Sequence, residues 1–122
     1  MLKKIYNEVT REWDTSVEEA LKSFIRLPAL SPDFDKKWEE NGVLLKALED
    51  AQAWAEKQGI KGLRCEIIKD DGFTPCLFVE VDATSDKKFE RSVFFYGHLD
   101  KQPPNEGWDP DKSAWEPVIQ NG

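Results

Sequence analysis

Apolar residues recur with a helical period along the first half of the chain and with an extended one along the second. Leu2, Ile5, Tyr6, Val9 and Trp13, with charges between them, predict an amphipathic helix over residues 2–13. Asp14-Thr15-Ser16 interrupts that pattern. Ser16 and Glu19 have capping-box spacing and predict a second helix, whose stripe is Val17, Leu21, Phe24 and Ile25. Pro28 ends it. Residues 29–41, punctuated by Pro32, Asp33 and Asp35, read as a loop with Trp38 as an anchor to the core. Over residues 42–58, Leu44, Leu45, Leu48, Ala51, Trp54 and Ala55 mark the most regular helix, and Gly59 stands where a left-handed terminating residue belongs.

Beyond Gly62 the period shortens to that of a strand. Residues 63–69 and 76–83 predict an antiparallel hairpin turning around Asp71-Gly72. Residues 92–96 form a nearly continuous apolar run, the pattern of a strand buried on both faces. Asp86-Lys87-Lys88 reads as a solvated turn, and residues 115–120 hint at a further short strand in a polar, proline-rich tail. Helices preceding a sheet with an interior strand predict an α/β fold: a layered sheet with N-terminal helices, in one domain without repeats or linkers.

Composition narrows the function classes. The chain has 122 residues, 39% hydrophobic and 34% charged, which is ordinary for a globular domain, and a core burying roughly 65% of the unfolded surface needs no staples. Seventeen basic residues against 24 acidic give a net charge of −7, which argues against nucleic acid and anionic membranes as partners. The apolar runs Cys76-Leu77-Phe78-Val79 and Val93-Phe94-Phe95-Tyr96 are far below the roughly 20 residues of a membrane span. Residues 1–8 turn polar too early for a signal peptide, so a cytoplasmic location is expected. In that reducing setting Cys65 and Cys76 read as free thiols, although a hairpin centred between residues 70 and 71 would set them face to face.

His98 is the only histidine, and it follows the apolar run in Tyr96-Gly97-His98-Leu99-Asp100. Ligands of α/β sheets bind beyond the carboxyl ends of strands, and Gly97 permits a sharp turn or a close approach there. Alternation along an extended chain puts His98 and Asp100 on one side and Leu99 on the other. An imidazole that binds a metal through one nitrogen is commonly held at the other by a carboxylate, so His98 is a candidate metal ligand and Asp100 its orienting partner. On spacing alone the plainer reading is favoured: a surface histidine beside a turn-capping aspartate.

The wider string changes that balance. Val93-Phe94-Phe95-Tyr96-Gly97-His98-Leu99-Asp100-Lys101-Gln102-Pro103, then Gly107-Trp108 and Trp115-Glu116-Pro117, resembles the first metal-ligand motif of the di-zinc metallopeptidase family of aminoacylases, carnosine dipeptidases and related carboxypeptidases. Leu27-Pro28-Ala29-Leu30-Ser31 and the Trp54 helix extend the resemblance, which covers about residue 16 onward. It implies an α/β zinc-exopeptidase-like catalytic domain with an inserted dimerisation domain, His98 as a zinc ligand and Asp100 as the catalytic residue that orients it. The implied reaction is hydrolysis of peptide bonds in small peptides, with two zinc ions polarising the carbonyl and activating water, and a glutamate as base. The family's bridging aspartate, paired glutamates and remaining ligands have no counterpart here, and Val118-Ile119-Gln120-Asn121-Gly122 stands about where the family continues towards them. Residues 1–122 are therefore expected to be the N-terminal portion of a metallopeptidase catalytic domain, inactive alone, binding zinc weakly or not at all, and self-associating through an exposed sheet edge. The alternatives are an N-acyl amino acid amidohydrolase of the same family and a noncatalytic α/β interaction module.

Other candidates have plainer readings. Ser31-Pro32-Asp33-Phe34-Asp35 lacks the glycine and glutamate spacing of a calcium loop and reads as a solvated loop. Trp13, Trp38 and Trp54 read as core, while Trp108 and Trp115 are candidates to line a substrate pocket. Lys101 is either a partner for a substrate carboxylate or simply exposed.

Overall fold

The computed structural model describes residues 1–83 and 92–120, so the expected turn at Asp86-Lys87-Lys88 lies outside the described residues. The chain divides into two compact units: one from Met1–Pro28 with the described residues from Pro103 onward, the other from Ala29–Gln102.

In the first unit the helix starting at residue 2 does not stop at Asp14-Thr15-Ser16. Helix α1 (Leu2–Glu12) runs through a π-helical turn (Trp13–Val17) into α2 (Glu18–Arg26). The expected capping box is therefore not formed. An N-cap needs non-helical backbone, whereas Glu12, Val17 and Glu18 all keep right-handed helical angles and Ser16 lies inside the turn. The Glu18 N–H reaches back five residues to the Trp13 carbonyl, and the Thr15 hydroxyl donates to the Arg11 carbonyl at 2.8 Å. Spacings of four residues from Trp13 to Val17 to Leu21 would drift around a regular helix, and the wider π turn absorbs that drift. Lys22 pairs with Glu18 and Glu19, which raise its pKa. Leu27 ends α2 in extended backbone, as a residue before proline prefers. Arg26 then grips the Glu116 carboxylate, with Nη2 at 2.8 Å, and holds its pKa below the usual carboxylate range. Residues 115–120, expected as a strand, instead contribute only an isolated antiparallel bridge between Ser113 and Glu116.

The second unit contains every fully buried apolar residue among those described: Ala29, Leu44, Ala47 and Leu48. Three of them share one face of α4 (Val43–Lys57), at spacings of three and four residues, and that helix packs on the hairpin of β1 (Leu63–Ile68) and β2 (Cys76–Val81). A short α3 (Trp38–Asn41) precedes α4 inside the expected loop, and Gly42, at φ 68°, makes the left-handed break between them. Gly59 is left-handed as expected. The strands pair antiparallel with Leu63 opposite Val81 and Ile68 opposite Cys76. That register sets Cys65 against Val79, so the hairpin does not bring the two cysteines face to face, and both are free.

Among the described residues the sheet has these two strands, which makes the architecture mixed α/β without the expected layer around an interior strand. Residues 92–96 are not a strand: Val93, Phe94, Phe95 and Tyr96 are 78% to 87% exposed. The pattern read there is genuine, but an apolar strand is stable only with ladder partners at its edges and cover on both faces, and the described residues supply neither. No helix among them is long and apolar enough to cross a membrane.

At the open end of the hairpin Gly62 has φ 79°, and a Cβ built there would lie 2.9 Å from Asp82 Cβ. Gly72 has φ 79° too but faces nothing within 4 Å. Chemical denaturation is expected to show Gly72→Ala losing about 1 kcal/mol from backbone strain alone, and Gly62→Ala losing more, about 2 kcal/mol. Beside Gly62, Arg64 grips Asp82 at 2.8 and 3.0 Å and Glu80 at 3.0 Å, which holds the Asp82 carboxyl below its ordinary pKa. A depressed folded pKa means that the stabilisation is present above the unfolded value and is lost as pH falls through the folded one. The stability advantage of wild type over Arg64→Met should therefore be constant at neutral pH and shrink below about pH 4, measured by denaturation across pH.

Candidate functional site

The segment carrying His98 is held by backbone, one residue beyond the site. Lys101 N–H donates to the Ala29 carbonyl at 2.8 Å and the Lys101 carbonyl accepts from Ser31 N–H at 2.9 Å, a parallel bridge centred on Leu30. Ala29 is completely buried, so one side of the bridge is fixed in the unit's core. Leu27-Pro28-Ala29-Leu30-Ser31 was legible as a loop after a proline stop; its part in pinning the His98 segment was not. An isolated bridge has no periodic signature, and its two sides lie far apart in the chain.

From that anchor the chain alternates as an extended segment should. Leu99 is half-buried, while His98 and Asp100 share the opposite side. His98 Nδ1 lies 3.0 Å from Asp100 Oδ1 and 3.1 Å from the Asp100 carbonyl oxygen. Both are acceptors only, so Nδ1 carries the proton and donates to them. In the neutral ring Nε2 is then the nitrogen with the lone pair. The side chain is 71% exposed and that of Asp100 39%, so the ring faces outward with its tautomer fixed from behind. This is the geometry in which a carboxylate orients a metal-binding histidine.

The neighbouring candidates fare differently. Gly97 has no left-handed φ and a Cβ there would meet nothing within 4 Å, so neither a sharp turn nor a close approach requires glycine at this position. Lys101 is half-buried rather than exposed, and burial pushes its ammonium pKa down. Trp108 and Trp115 belong to the other unit, Trp108 exposed and Trp115 half-buried. The acidic loop at residues 31–35 is a local turn: Asp35 accepts from Lys37 N–H at 2.9 Å and from the Asn41 amide, so its oxygens are committed to the backbone and side chains that lead into α3. Surface clefts beside Tyr6 and Arg11 on α1, and beside Glu56 and Leu63 at the hairpin, include neither His98 nor Asp100.

The donor set can be tested against zinc directly. His98 fits the part of a single ligand. Among the described residues no group of three or more histidine, cysteine, aspartate or glutamate side chains could hold a metal ion, and a catalytic zinc needs three protein ligands. These residues therefore fit one corner of such a centre and do not complete it. No family model matches this chain, and no curated protein matches it significantly.

Removing one bond of the anchoring bridge should loosen the site without touching it. Ser31→Pro deletes the N–H that donates to Lys101, at a cost of about 1–2 kcal/mol, and should accelerate hydrogen exchange at the Lys101 amide about tenfold or more. Ser31→Ala keeps the N–H and should leave that exchange rate unchanged.

Proposed function

We propose that this chain supplies His98, oriented by Asp100, as one zinc ligand in the catalytic domain of a metal-dependent hydrolase that cleaves peptide bonds of di- or oligopeptides. The observation that carries the reading is the fixed tautomer: a proton held on Nδ1 by two acceptor oxygens, with Nε2 exposed. The resemblance of residues 93–103 to a dipeptidase metal motif supplies the reaction class. N-acyl amino acids present the same amide bond and are the alternative substrate class.

The apolar run supports the same proposal. A strand with Val93, Phe94, Phe95 and Tyr96 suits the interior of a layered sheet, with His98 leaving it at the rim. In this reading the exposed faces of residues 93–96 are covered in the complete domain, which has the layered zinc-exopeptidase architecture and works in the cytoplasm. Bound zinc supplies Lewis-acid polarisation of the amide carbonyl and an acidified water. What residues 1–122 contribute is binding geometry: Asp100 keeps the His98 proton on Nδ1 and the ring turned outward. The remaining ligands and the general base belong to further chain, and the isolated piece is inactive.

The single ligand also favours a second reading, a noncatalytic α/β interaction module, and two measurements separate them. Calorimetric titration of residues 1–122 should show no tight site, with half-saturation above about 100 µM zinc, because tight sites need three or four ligands. Nuclear magnetic resonance should nonetheless show the His98 ring responding to zinc ahead of every other group, and His98→Ala should abolish that response; an unaltered response in the variant contradicts the ligand assignment. Reading the coding region past codon 122 should reveal a Gly-Arg-Gly-x-x-Asp segment and a later Glu-Glu pair. A stop codon there favours the module.

A further inference from the structure

We infer that the apolar face of α1 is a self-association surface, and that its occupant is α1 of a second copy of this chain packed antiparallel. Leu2, Ile5, Tyr6, Val9 and Trp13 form one stripe along the helix, each between 46% and 83% exposed, and no residue of α1 is buried. Such a stripe is the signature of a helix that packs against another element.

Charge chooses both the occupant and its direction. The positive groups Lys3, Lys4 and the N-terminal ammonium stand at the start of the helix, and Glu8, Glu12 and Asp14, opposed only by Arg11, stand towards its other end. Arg11 is committed within its own helix, to Glu8 and Glu12. Parallel pairing would lay lysines beside lysines. Antiparallel pairing about a two-fold axis lays each basic end along the other copy's acidic end, and it aligns the helix dipoles favourably as well.

The register follows from the stripe. Setting Leu2 against Trp13 also sets Tyr6 against Val9, so the apolar positions meet in order along the whole contact. On the helix surface Lys3 and Asp14 then flank one side of the stripe, and Lys4 and Glu12 the other. A two-fold axis across the helices brings like flanks together, so Lys3 meets the other copy's Asp14 and Lys4 its Glu12, each pair formed twice. The surface is thus complementary to itself in both apolar pattern and charge. It is independent of His98 and of the hydrolase reading.

Sedimentation equilibrium on the full chain tests the inference. The wild type should dimerise reversibly, and raising salt from about 50 to 500 mM should weaken the dimer about tenfold, since exposed ion pairs are screened. Val9→Glu should give a monomer with wild-type far-ultraviolet circular dichroism. Two charge variants avoid any dependence on that single substitution: Lys3→Glu with Lys4→Glu, and Glu12→Lys with Asp14→Lys, should each be monomeric, and an equimolar mixture of the two should form a heterodimer. A monomeric wild type at 200 µM overturns the inference, as do charge variants that dimerise like the wild type. Dimerisation lost in Phe94→Ser with Phe95→Ser but kept in the α1 variants overturns it too, by assigning association to residues 93–96. Association of the wild type with anionic lipid vesicles but not with itself overturns it in favour of a membrane occupant.

Discussion

One proton holds the candidate site together. His98 Nδ1 faces two oxygens of Asp100 that can only accept, so the imidazole has a defined donor side and, when neutral, a defined lone pair on the exposed Nε2. A histidine without such a partner exchanges tautomers and rotates freely, and it presents no fixed ligand. The arrangement depends in turn on the backbone bridge between Ala29, Ser31 and Lys101, which ties the segment to the buried Ala29 and sets the alternation that puts His98 and Asp100 on one side. A short chain of main-chain bonds therefore carries core rigidity to an exposed ring.

What was legible in the sequence is what local physics decides. The α4 stripe, its glycine terminator and the β1–β2 hairpin follow from periods of 3.6 and 2 and from residues that tolerate left-handed backbone. The pairing of His98 with Asp100 was legible for the same reason, because alternation over three residues is local. Decisions that depend on distant partners were not. Asp14-Thr15-Ser16 has the composition of a helix break, yet the helix continues, because a π turn keeps Val17 and Leu21 in line with the stripe of α1. The hairpin register, which sets Cys65 against Val79, rests on where the turn closes, and a shift of one residue decides it.

Residues 93–96 show how a correct pattern and an absent element coexist. Four consecutive large apolar side chains are the composition of an interior strand, and their exposure is the cost of lacking neighbours. The same holds on a smaller scale for α1, whose stripe is as regular as that of α4 but covers nothing. Few side chains are fully buried, so the stability of this chain rests on α4 and the hairpin, and its large apolar surfaces point outward to further partners.

The central claim is the state of a single ring, and the chain's only histidine gives one unambiguous signal. A long-range nitrogen–proton correlation spectrum above the titration of His98 should show Nδ1 as the protonated nitrogen and Nε2 as the bare one, with the pattern relaxing towards a mixture in Asp100→Ala. A ring that carries its proton on Nε2 in the wild type would contradict the account, because Asp100 would then not be orienting a ligand.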